Sequence, residues 1–94
     1  MTVEELKSEL EKIISELTSS GFASIDSGTV EKLDKFAISA GELGMKEGNK
    51  LIKNLSEAMK AIQGGKSQAK SGDIRLMALD FYAKKLSSAT TEDL

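Results

Sequence analysis

The side chains able to do chemistry in this chain make a short list. Its 94 residues include no histidine and no cysteine. That excludes disulfides, Cys/His metal sites, thiol nucleophiles and histidine-borne acid–base or phosphoryl chemistry. Carboxylates, hydroxyls and lysines are left. No clustered acidic motif offers a carboxylate metal or acid–base site, and nothing pairs a nucleophile with a base, so we expect no enzyme, no cofactor and no metal. Gly64-Gly65-Lys66-Ser67 ends like a phosphate-binding loop, but the first glycine and a preceding strand are missing, and a flexible connector is the plainer reading. The informative spacing is Asp34, Ala37, Ile38 and Gly41, with Lys46 just past a Leu43-Gly44 corner. Steps of three and four put the first four on one helix face. Ala37 and Gly41 would let a partner approach closely and Ile38 would anchor it, which suits docking rather than catalysis. The plainer alternative is an Ile38 packed on a neighbouring helix and a solvated Asp34.

The elements that must position this face follow from caps and periodicity. Thr2-Val3-Glu4-Glu5 reads as a capping box. Val3, Leu6, Leu10, Ile13 and Leu17 then recur at helical steps, predicting a first helix over about 3–18, which Ser19-Ser20-Gly21 ends. Phe22, Ala23 and Ile25 are apolar loop residues suited to plugging one end of a bundle. Asp26-Ser27-Gly28-Thr29 is rich in capping residues and starts a second helix, about 29–43, whose seam is Val30, Leu33, Ala37 and Ala40. Asp26-Ser27 also resembles the modified serine of acyl carrier proteins, but Gly28 stands where leucine is expected and the preceding loop is short. Gly44 suits the left-handed position that closes a helix, with Met45 behind it. A third helix, about 46–62, buries Gly48, Leu51, Ile52, Leu55, Ala58, Met59 and Ile62 and turns Lys46, Lys50 and Lys53 another way. Gly64-Gly65 stops it, and residues 66–72 read as a polar connector. Asp73 is expected to cap a fourth helix, about 73–87, with Ile74, Met77, Ala78 and Phe81 as its core stripe, broadened by Leu79, Tyr82 and Leu86. The tail from about 88 is polar and expected to fray.

Four amphipathic segments with short connections predict an all-α antiparallel up-and-down four-helix bundle, a single domain spanning 1–94. The absence of proline and the scarcity of aromatics agree with long helices. The net charge of −2 supplies no general attraction to nucleic acid or to anionic membranes. The acidic MTVEELKSEL stretch has no signal-peptide run and no segment is long enough to span a bilayer, so a cytoplasmic protein is expected.

With the second and third helices joined at the corner, Ser39-Ala40-Gly41-Glu42-Leu43-Gly44 resembles the latter half of the signature of the histidine-containing phosphotransfer (HPt) family. Lys46 to Met59 resembles that family's following helix, and Ser71-Gly72-Asp73 its last-helix entry. The resemblance covers most of the chain in element order and implies a four-helix bundle. The departures fall on the chemistry. Asp34 stands ten residues before Gly44, where the phosphorylated histidine belongs, with Ala37 in place of the lysine and Ile38 in place of the glycine. An aspartate cannot form a phosphoramidate. What the resemblance still implies is a docking face for a response-regulator receiver domain, at Asp34, Ala37, Ile38, Gly41 and Lys46.

A different class of function competes. Residues Ala37–Leu55 can be laid over a helix-turn-helix, with Ala40 and Gly44 four apart before the turn, which would make a small DNA-binding regulator. That motif wants an apolar residue six places after the glycine, and Lys50 stands there. A generic bundle is the third reading. The expectation taken forward is a non-catalytic protein-interaction module, monomeric or weakly homodimeric, with a protein partner and neither nucleic acid nor membrane.

Overall fold

The computed structural model describes residues 2–22, 26–66 and 69–92, with side chains through Lys85 except at Ala69 and Ser71. Four helices follow one another: α1 (Val3–Ser20), α2 (Ser27–Glu42), α3 (Lys46–Gln63) and α4 (Ala69–Glu92). No strand occurs among the described residues. Each helix packs on its neighbours in sequence, and α1 also packs on α4, which closes an up-and-down bundle of 44 × 23 × 18 Å.

The helix limits have local causes. Thr2 Oγ1 accepts from the Glu5 N–H at 3.1 Å and Glu5 Oε1 from the Thr2 N–H at 3.3 Å, completing the expected capping box. Asp26 caps α2 by accepting from the Gly28 N–H at 3.0 Å. At the α2–α3 corner Gly44 has φ +79°, its N–H donates to Gly41 and the Met45 N–H donates to Ala40. This is the Schellman pattern, and only glycine takes that backbone without strain. Gly65 (φ +73°) closes α3 in the same way, with Lys66 donating to Ala61. No side chain caps the start of α3. The Tyr82 hydroxyl of α4 packs on Gly48 in this first turn, where a Cβ would lie 2.9 Å from it, and burial pushes that phenol's pKa up, helped by the nearby charge of Glu47 and opposed by the Gly48 amide.

The core is aliphatic. Leu6 and Leu10 of α1, Leu33 of α2, Ile52, Leu55 and Met59 of α3 and Leu79 of α4 are all fully buried, and Phe22 plugs one end as expected. Ala23 and Ile25 lie outside the described residues.

The fourth helix departs from expectation twice. It begins at Ala69 rather than being capped by Asp73, which lies inside it, and it continues to Glu92. Tertiary packing outweighs the local break: Gly72 is buried so closely that a Cβ there would lie 2.9 Å from Ile62 Cδ1 and from Phe22 Cε1. Its inward row is Gly72, Leu76, Leu79 and Ala83, whereas Ile74, Met77, Ala78 and Phe81 face solvent. Both rows have helical spacing. The inward one is chosen because Gly72 and Ala83 let α4 come close while two leucines fill the space between. The side chain of Leu86 is outside the described ones.

Candidate functional site

The face expected to dock a partner is divided by the fold. Ala37 is only 4% exposed and cannot be touched by another molecule, so its small size serves the approach of α3 to α2. Asp34 turns toward α3, where its carboxylate accepts from Ser56 Oγ at 2.5 Å and from Lys60 Nζ at 3.0 Å. The Ser56 hydrogen bond, against the cost of burial and with help from Lys60, holds the Asp34 carboxyl below the usual carboxylate range. It is an anion engaged on both oxygens rather than a free nucleophile.

Ile38, Gly41 and Lys46 stay at the surface. Ile38 is 62% exposed. Beneath them Asn49 crosses from α3 and donates through Nδ2 to the Ala37 carbonyl at 2.6 Å. A Cβ on Gly41 would lie 3.3 Å from that same nitrogen, so the glycine makes room for the Asn49 clasp.

These contacts also fix how the two helices meet. Asp34 lies about 14 Å before the corner and Ser56 about 16 Å after it, at 1.5 Å per residue. Helices crossing near a right angle, as in a helix-turn-helix, would hold the two more than about 20 Å apart. They are hydrogen-bonded, so α2 and α3 form an antiparallel hairpin and α3 does not project as a recognition helix.

Sequence reasoning singled out Asp34 but missed Ser56, Lys60 and Asn49. A signal for Ser56 was present, since it interrupts the apolar row Ile52, Leu55, Met59 at helical spacing and is 1% exposed. A hydroxyl there needs a partner from another helix. Nothing comparable marks Lys60 or Asn49. Among the described residues no group of three or more carboxylates is placed to hold a metal ion, and no helix is long and apolar enough to cross a membrane. Comparison of the chain with family models, with curated proteins and with solved structures returns no match.

Proposed function

We propose that this chain is a non-catalytic protein-interaction module that docks a receiver-like protein on the α2–α3 face around Ile38. The observation that supports it is the 62% exposure of Ile38 in mid-helix, with Gly41 open one turn further on. A single exposed isoleucine is ordinary. Its setting is less so. Lys46, Lys50 and Lys53 are exposed on α3, and none enters an ion pair among the described residues. The Ala37–Asn49 and Asp34–Ser56 contacts set a register that brings Lys50 and Lys53 beside the turn carrying Ile38. An apolar anchor beside free cations fits a partner with an apolar patch and an acidic rim. The HPt resemblance suggests a receiver domain as that partner. With Asp34 in the histidine's place and held on α3, the reading is docking without phosphoryl transfer.

The test is an NMR titration of the labelled chain with receiver domains in both phosphorylation states. Shifts should centre on Ile38, Gly41 and Lys46, and Ile38→Glu should abolish them while leaving the melting temperature within about 2 °C, as for a surface change. Silence from every receiver, or shifts confined to another face, would overturn the proposal.

A further inference from the structure

The fourth helix offers two apolar rows and the bundle covers one. On the outward side Ile74, Met77 and Phe81 are 57, 72 and 63% exposed. At 3.6 residues per turn Ile74 and Phe81 point directly away from the buried row of Leu76 and Leu79. Their spacing is a heptad: Ile74 and Phe81 fall at a, Met77 at d, Asp73 and Asp80 at g, and Ala78 and Lys85 at e. Lys70 and Lys84 take the next d places and bound the seam.

We propose that this face pairs with the same face of a second copy of the chain, the two α4 helices running parallel about a twofold axis. Charge sets the direction. In a parallel pair each g residue meets the e residue of the following heptad, so Asp80 of each copy faces Lys85 of the other. An antiparallel pair centred on Met77 would set Asp80 of each copy against Asp73 of the other and give Lys85 no acidic partner. Both side chains already stand at the edge of the seam, Lys85 lying 4.9 Å from the Phe81 ring centre and Asp80 paired with Lys84 at 3.1 Å. An anionic bilayer would meet Lys70, Lys84 and Lys85 at this face but also two carboxylates along its edge. The pairing of Asp80 with Lys85 in a second copy uses one of these, and a bilayer uses neither. Asp73 and Asp80 border the face toward α1, which carries five glutamates against two lysines. Three large apolar side chains per copy cover less than the roughly 800 Å² per partner of a standard stable interface. The dimer is therefore weak and concentration-dependent.

The test is sedimentation equilibrium of the full chain at concentrations up to about 1 mM. A monomer–dimer equilibrium is expected, and Phe81→Lys should weaken it about tenfold or more. Asp80→Lys or Lys85→Asp alone should also weaken it, and the two together in one chain should restore it, which an antiparallel pair would not do. Should Phe81→Lys disturb the fold, Met77→Lys and the charge reversals carry the test. A monomer at every concentration overturns the proposal. So does a dimer indifferent to Phe81→Lys and Met77→Lys, or a double reversal that fails to restore association. Binding of the monomer to phosphatidylserine vesicles through this face would overturn it in favour of a membrane surface.

Discussion

Asp34→Ala and Ser56→Ala cut the same 2.5 Å hydrogen bond from opposite ends, and the fold makes the two cuts unequal. Ser56 is 1% exposed whereas the Asp34 side chain is 43% exposed. Removing Asp34 strands a buried hydroxyl that can fall back only on a carbonyl of its own helix, and it also frees Lys60. Breaking a hydrogen bond to a charged group costs about 1.5–3 kcal/mol, toward the low end for a half-exposed carboxylate. The exposed Lys60 pair adds at most about 0.5 kcal/mol. We expect Asp34→Ala to cost about 1–2 kcal/mol. Ser56→Ala leaves a methyl in an apolar row and an aspartate that water and Lys60 can serve, for less than about 1 kcal/mol.

Urea unfolding at neutral pH and in acid reads both terms. The Asp34 carboxyl is lowered from 3.8 in the folded chain. Its stabilisation is therefore fully present above the unfolded value and lost as the pH falls from there through the folded pKa. The gap between the native chain and Asp34→Ala should be constant from neutral pH down to about pH 5 and then close in acid. Ser56→Ala should raise the Asp34 pKa and narrow that window. A Ser56→Ala cost equal to or above that of Asp34→Ala, or a gap that persists unchanged in acid, would refute the asymmetry.

Two further substitutions probe the placement of α4. Leu79→Ala should cost about 3 kcal/mol in chemical unfolding and Met77→Ala less than about 0.5 kcal/mol, because the first empties the core and the second trims a surface chain; the reverse order would put the outward stripe inside. Gly72→Ala gains up to about 1 kcal/mol of helix propensity but sets a methyl 2.9 Å from the enclosed Phe22 ring, an overpacking that costs about 1–3 kcal/mol. A lowered melting temperature is expected, and a raised one would mean that α4 does not approach Phe22 so closely.

The first three helices were legible because each states its limits and its inward face only once. Thr2 with Glu5, Asp26, Gly44 and Gly65 act within their own turns, and Leu6-Leu10-Ile13-Leu17 has no rival stripe on its helix. The fourth was legible as a helix and misread as a surface. Its two apolar rows are equally periodic, and the choice between them rests on whether Gly72 and Ala83 can be approached, a property of the neighbours and not of the period. Asp73 resembles a cap for the same reason, since local propensity favours a start there while contact with Phe22 and Ile62 draws the preceding turn into the helix. At the candidate site the spacing placed Ile38 correctly on the outside. It put Ala37 both on that face and in the inward seam, because a four-residue face at helical steps spans an arc wide enough to include a buried edge, and the fold keeps Ala37 in the seam. Asp34 was noticed for its position in a motif, but its partners lie 22 and 26 residues away, beyond any local pattern.

The two surfaces proposed for binding are independent by construction. Helix α4 packs between α1 and α3, diagonally across the bundle from α2, so a dimer formed through Phe81 leaves Ile38 open on each copy. The pair would then present two docking faces, and a partner that is itself dimeric would be held far more tightly than either contact alone allows. That consequence separates the two readings. Asp80→Lys should lower affinity for a dimeric partner while leaving affinity for a monomeric one unchanged, whereas Ile38→Glu should abolish both and leave self-association intact. An Asp80→Lys chain that loses a monomeric partner would mean instead that α4 belongs to the docking face.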